Sequence, residues 1–520
     1  MNLATLDIVI FVVYVLALLG IAWWVSREKS GHEKDTKDYF LASKSLPWWA
    51  IGASLIASNI SAEQIIGMSG SGYKLGLAIA SYEWMAAITL ILVAKYFLPI
   101  FLKHQIYTMP QYLEHRYDNR VKTVMAVFWL AVYVFVNLTA VLWLGGLAIN
   151  TITGVDLTTA MIFLAVFSVA YSLYGGLKAV AYTDIIQVVL LIFGGLMLSY
   201  IALDLVAEGN GVLAGFGILT DTMPEKFDMI FSADSEHYMD LPGISVLLGG
   251  MWIMNISYWG FNQYIIQRAL AAKDVPEAQK GIVFAAYLKL LMPIIVVLPG
   301  IAAAVLYKDL ARPDEAYPTL MTLMPVGLKG LIFAALVAAI VSSLASMSNS
   351  ISTIFTMDLY SRFKPQESQK HYVTVGRIVS LVALIVAMIC AEPLLGKFDQ
   401  AFQYIQEFTG FFTPGIVVIF MMGMFWKRTT ANGALVAAIG SAVLSFAFKM
   451  WFPELPFMDR VGLVFLACLV LAATVSLLGK APENVYAQSD AKIDHSTSTS
   501  FNMAAIGVVI ILAALYATWW

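Results

Sequence analysis

Runs of twenty or more apolar residues recur from one end of this 520-residue chain to the other. An α-helix needs about that length to cross ~30 Å of hydrocarbon. Composition agrees with membrane insertion: 60% of residues are hydrophobic and 12% charged, against roughly 25% charged in soluble domains. Mean hydropathy is +0.79. The chain is therefore predicted to be an all-α integral membrane protein. The pattern predicts about fourteen spans, near 6–26, 48–70, 76–102, 122–150, 156–174, 181–206 and 243–266. The others fall near 281–306, 328–357, 372–392, 399–426, 430–451, 459–479 and 502–520. Lys and Arg crowd alternate loops: Arg27, Lys29, Lys34, Lys37 and Lys44 in the first, Lys103, Arg116, Arg120 and Lys122 in the third. The seventh carries Arg268, Lys273 and Lys280, and the ninth Arg362, Lys364, Lys370 and Arg377. The long sixth loop has only Lys226 among Asp221, Glu225, Asp228, Asp234, Glu236 and Asp240. Basic loops stay in the cytoplasm, so both termini are expected outside.

Several function classes drop out. A net charge of −3 suggests no nucleic acid or strongly charged partner. Cys390 and Cys468 lie in apolar spans without metal-ligand spacing. No cleavable signal, soluble catalytic domain, P-loop, HExxH or nucleophile elbow is evident. The segment 480–500 reads as a polar, flexible connection. Any work is expected inside the bilayer.

Polar groups placed in hydrocarbon point to where. The stretch Ser54–Tyr73, SLIASNISAEQIIGMSGSGY, puts Asn59, Ser61, Glu63 and Gln64 in the middle of the second span, with Gly67, Gly70 and Gly72 behind them. A lipid-facing helix would not carry this load, because uncompensated polar groups there cost several kcal/mol each. Two readings fit: a broken helix offering free carbonyls to a cation, or a helix packed on neighbours through its small residues. Glu83 and Lys289 each lie about eight residues, or ~12 Å, into a span. Intramembrane charges are usually paired, so a Glu83–Lys289 pair is expected, with snorkelling of Lys289 as the alternative.

In NISYWGFNQYIIQR, Asn255, Ser257, Asn262 and Gln263 interleave with Tyr258, Trp259 and Tyr264, and Gly260 weakens the helix. Amides beside aromatic faces suit a neutral polyhydroxylated ligand; an interfacial aromatic belt fits Tyr264 best. Ser342, Ser343 and Ser346 could be hydroxyl ligands of sodium or simply small packing residues. In AFQYIQEFTG, Gln406, Glu407 and Thr409 are buried-polar candidates, and Phe402 is packing or a lid. Asp184 is expected to begin the sixth span, capping it with Thr183.

Six ordered blocks, SNISAEQIIGMSGSGY, SYEWMAA, YGGLKAVAYTDIIQ, YWGFNQYIIQRALAAK, AAIVSSLASM and AFQYIQEFTG, together resemble the sodium/solute symporter family. The resemblance runs from DYFLASKSLPWW to the last span and is to bacterial sugar-transporting members. It implies a LeuT-like core of two inverted five-helix repeats, 48–206 and 243–426, each opening with a broken helix. Around them lie an N-terminal extra span and cytoplasmic loop (1–47), an extracellular loop (207–242) and C-terminal extra spans (427–520). A tandem repeat with an odd number of spans must be inverted. The resemblance implies a sugar site of Asn59, Gln64, Glu83, Asn255, Lys289 and Gln406. Tyr258 would stack on the sugar, backed by Trp259, with Met68, Tyr82 and Phe402 as outer gates. Sodium would meet the carbonyls of Ala57, Ile60 and Ala339 and the hydroxyls of Ser342 and Ser343, with Asp184 on its inward path or at a second site.

The implied function is sodium-coupled import of a sugar of the galactose or glucose type, with no organic cofactor and no enzymatic step. The expected location is the bacterial inner membrane; monomer and oligomer are both compatible. Where galactose-transporting members carry serine after SYEWM, this chain has Ala86, which bears on sugar preference. Alternatives are sodium-coupled import of an amino acid, sialic acid or inositol, and a transporter-like sensor. A sensor would be expected to carry a signalling domain, and none precedes Trp520.

Overall fold

The computed structural model describes residues 3–25, 46–106, 108–396, 400–482 and 493–520, and of 171–180 only the helical backbone. The basic residues of the first loop and 483–492 of the polar segment lie outside the described residues. What is described is helical, interrupted by π-helical turns. Among the described residues, ten helices are long and apolar enough to cross a membrane, or eleven if the bent pair Ala401–Thr409 and Thr413–Phe425 is one span. The surface is inside-out relative to a soluble protein. Val166, Ile389, Val470 and Ile510 are exposed on helix flanks, while Asn59, Glu83, Asp184 and Ser342 are buried. Lipid accepts the former, and protein must satisfy the latter.

Two expected spans are broken in their middles. The Trp48–Asn59 helix ends at Ile60 (φ −72°, ψ 73°), and the chain resumes as a π-helical turn Glu63–Gly67 and the helix Met68–Leu75. Gly250–Ile256 passes into a π-helical turn Ser257–Phe261, breaks at extended Asn262, and resumes as Gln263–Leu270. A third interruption bends the Ala401–Phe425 path by 47°. There, Ser441 Oγ accepts from Gly415 N–H (3.0 Å) and donates to Phe411 O (2.8 Å), satisfying groups that the bend releases.

The helix Val275–Leu306 acts as a splint for the first broken span. A Cβ on Gly52 would sit 2.6 Å from Gly281 O, and one on Gly300 would sit 2.2 Å from Ser69 O. Only glycine lets the backbones approach this closely. Lys289 lies between these two contacts, which puts it beside the break.

The expected spans 156–174 and 181–206 form continuous helix, Leu157–Val206. It is not one straight rod. Phe163 reaches Phe333 through Phe11, with ring centroids 6.4 and 5.4 Å apart. Gly194 packs on neighbouring Ile332. A straight helix would separate 163 and 194 by about 46 Å, so the path doubles back between them. Asp184 thus lies near the start of the apolar span Ala181–Val206, as expected; its carboxylate, however, accepts from the Ser54 and Ser342 hydroxyls and does not cap the helix.

Long-range caps complete the frame. Asp7 Oδ1 accepts from Gly327 and Gly330 N–H (2.7 and 2.9 Å) at the start of Leu328–Ile354. Arg116 donates to the carbonyls of Gly423, in the last turn of Thr413–Phe425, and of Trp426 and Thr429 just beyond it. Lys226 Nζ donates to Tyr73 O and Lys74 O (2.9 and 2.6 Å), capping the second half of the first broken span. Each cation meets carbonyls at a helix C-terminus, where negative partial charge gathers.

Candidate functional site

The breaks release backbone acceptors. Ser61 N–H turns back to Asn59 O (2.7 Å), and Gln64 N–H goes to Ser61 O (3.1 Å). The carbonyls of Ala57 and Ile60 thus lose the donors that an unbroken helix would supply four residues on. Ser343 Oγ lies 3.4 Å from Ser58 O, so the Leu328–Ile354 helix brings a hydroxyl against this end. Ser342 faces elsewhere: its hydroxyl donates to Asp184 Oδ1, while Ser54 Oγ donates to Asp184 Oδ2 (2.6 Å). Arg268 reaches the same network through Ser54 and Ser346. Asp184 thus links the first broken span, the Leu328–Ile354 helix and the end of the second broken span.

Beside the break lies a cavity that mixes amide, carboxyl and aromatic side chains, the composition of a small-molecule site. Asn59, Gln64, Glu83, Asn255, Tyr258, Trp259, Tyr82, Phe402 and Gln406 line it. These expected residues, scattered over four segments of sequence, come to one place. Met68 does not join them; it is fully buried behind the lining. Lys289, fully buried, approaches from the splint helix. Its ammonium donates to Glu83 Oε2 at 2.5 Å and to Asn59 Oδ1, and sits 4.9 Å from the Trp259 ring centroid. Snorkelling is thereby excluded: the charge is met inside by a carboxylate, an amide oxygen and a π face.

Aromatic pairs bound the cavity. Tyr82 packs edge-on against Phe402 (centroids 5.1 Å, 88°), and Tyr258 against Trp259 (5.1 Å, 78°). Tyr258 Oη accepts from Asn59 Nδ2 (3.0 Å) and from Tyr264 Oη (2.9 Å). Tyr264 is completely buried, so it is a core residue and not part of an interfacial belt. Glu407 also departs from expectation. It faces out of the cavity and pairs with Lys449 (2.8 Å) and Arg460 (3.2 Å).

A profile of the sodium:solute symporter family matches residues 39–440. The chain belongs to that family. A sodium/glucose cotransporter of Vibrio parahaemolyticus is 52% identical to this symporter, over all of this chain and 99% of that one. The human sodium/myo-inositol cotransporter 2 is 35% identical, over 84% of this chain and 69% of its own. Among solved structures, a substrate-bound, outward-open sodium-coupled sialic acid symporter superposes with a TM-score of 0.81 at 23% identity, covering 93% of this chain and all of that one. A nucleobase-cation-symport-1 family transporter does so with 0.54 at 14% identity, covering 87% and 98%. These neighbours establish a shared LeuT-like fold.

The symporter's cavity also contains residues that sequence reasoning passed over. Tyr133 Oη donates to Asn262 Oδ1 (2.7 Å) and accepts from Gln263 N–H (2.8 Å), clamping the second break. Asn137 stands on the same wall. Its signal was available, as a lone amide in the apolar run VFVNLTAV. Glu63 was visible as a charge in the broken stretch, but nothing local told which way it pointed.

Proposed function

We propose that this symporter couples inward sodium flow to import of a sugar, by alternating access. The carrying observation is a cavity at two helix breaks, lined by amides and aromatic faces, whose Glu83 is already compensated by Lys289. Such a site offers a neutral polyol many donors and acceptors and a ring face, without demanding charge from it. The name of the Vibrio relative, sodium/glucose cotransporter, supports the same assignment. The myo-inositol relative keeps a cyclic polyol as the second reading. Amino acids fit less well, since their carboxylate calls for a helix N-terminus and an uncluttered pocket.

In this reading Asn59, Gln64, Glu83, Asn255, Lys289 and Gln406 bond the sugar and Tyr258 stacks on it, backed by Trp259. Tyr82 and Phe402 form the outer lid, with Met68 supporting it from behind. Sodium meets the carbonyls of Ala57, Ile60 and Ala339 and the hydroxyls of Ser342 and Ser343. The carbonyls that the first break frees support this, and so does the Ser343 hydroxyl beside them. Ser342 would turn from Asp184 to join, which makes Asp184 a relay on the inward path or a second site. Fourteen spans arranged as 1–47, 48–206, 207–242, 243–426 and 427–520, with both termini outside a bacterial inner membrane, complete the proposal. The solute crosses unchanged, so the protein is not an enzyme.

Sodium bound across the break favours the outward-open state; an ion with equal affinity for both states would drive nothing. Each charge moved inward gains ~2.3 kcal/mol per 100 mV. The test is uptake of radiolabelled glucose, galactose and myo-inositol into proteoliposomes under an inward sodium gradient, then with potassium replacing sodium. Sodium-dependent accumulation of one of them is expected. Failure of all three with folded protein would sink the polyol assignment.

A further inference from the structure

Glu63 has no part in the function proposed above, yet it lies in the middle of the cavity. Only 6% exposed, it lines the cavity together with Asn137 (3%) and Gln64 (8%). Asn137 shares the cavity wall with the Glu63 carboxyl group, and Glu63 Oε1 has no hydrogen-bond partner. Asn137 Oδ1 and Gln64 Oε1 are likewise without partners. Three buried oxygens around one cavity, one of them from a carboxyl group, therefore call for a ligand that can meet all three.

The charge balance of the cavity supports this. Glu83 is compensated by Lys289. Among the described lining residues there is no lysine, arginine or histidine to compensate Glu63. An ionised carboxylate without a cation is costly inside a membrane; a proton would remove the charge but leave the Asn137 and Gln64 oxygens without partners. A sugar hydroxyl could donate to these oxygens but would leave the net charge in place, whereas a bound cation removes it. Hard oxygen donors with few charges suit an alkali cation.

We propose that Glu63, Asn137 and Gln64 form a second sodium site inside the solute cavity, separate from the Ser343 end of the break. This rests on the sodium-symporter reading. Gln64 then has two roles in one amide: its Oε1 faces the cation and its Nε2 donates to the solute. Each ligand makes the other's site more complete, a positive and reciprocal coupling.

The test is equilibrium binding of radioactive sodium to the purified full chain without sugar, with choline holding ionic strength. Two ions per chain are expected, with one for Glu63→Gln, one for Ser343→Ala and none for the double variant. Asn137→Leu, which keeps the carboxylate, should weaken one of the two ions at least tenfold and guards against misfolding of Glu63→Gln. In proteoliposomes at zero net flux, sugar accumulation should follow the square of the sodium ratio in the native protein and its first power in Glu63→Gln. One ion in both native protein and Glu63→Gln, lost in Ser343→Ala, would overturn the second site and leave symport standing. Proton uptake that Glu63→Gln abolishes, with one sodium bound, would overturn the sodium assignment. No sodium bound by the native protein would sink the symporter reading itself.

Discussion

Lys289 is an ammonium with no access to solvent, held between Glu83, Asn59 and the Trp259 ring. Taking one partner from such a pair leaves an uncompensated buried charge, at a cost of about 3–5 kcal/mol. Glu83→Gln alone should therefore lower the unfolding temperature markedly. Combining Glu83→Gln with Lys289→Met should restore most of that stability, because no charge remains, while uptake stays abolished. Thermal unfolding of the purified proteins beside proteoliposome uptake separates the two effects. If the double variant is no more stable than Glu83→Gln, the pair is not the source of the loss. The need for a partner was legible from the depths of Glu83 and Lys289 in their spans. The added contacts of Lys289 with Asn59 and Trp259 were not.

At the scale of elements, the two breaks border the cavity and need holding open. The second break has extended Asn262 between two helical pieces, and Tyr133 serves both sides with one hydroxyl. Tyr133→Phe removes two hydrogen bonds, each worth roughly 0.5–1.5 kcal/mol. It also leaves a buried N–H at Gln263 unsatisfied. Faster amide exchange confined to residues around 262–264 is expected, with slower uptake and little change in the global unfolding temperature. Unchanged exchange there would remove Tyr133 as the clamp. The breaks themselves were readable, since glycine and polar residues interrupt apolar runs at Ser54–Tyr73 and Asn255–Arg268. The clamp was invisible, because Tyr133 sits in an ordinary apolar span 130 residues from Gln263.

For the whole molecule, the same physics sorts residues to the outside and the inside. Ile510 lies midway along the Thr499–Thr518 helix and is 63% exposed. Ile510→Asp should reduce the amount of protein recovered in the membrane fraction, since an acidic residue at mid-helix costs ~2.5–3.5 kcal/mol of insertion. Ile510→Ala should leave both yield and uptake near the native level. Equal yields for the two variants would mean that this helix packs in a protein interface and not against lipid.

Membrane residence, the helical class, the family and most cavity-lining residues follow from the sequence by itself. Apolar length, polar interruptions and ordered motifs are one-dimensional signals, and hydrocarbon punishes exceptions strongly enough to make them stand out. Only the tertiary structure decided partners: Asp184 with Ser54 and Ser342, Tyr264 with Tyr258, and Glu407 with Lys449 and Arg460. Most of these groups are far apart along the chain, as Ser54 and Asp184 are at 130 residues. A buried polar side chain announces that it needs a partner, but the helix packing chooses which one it meets.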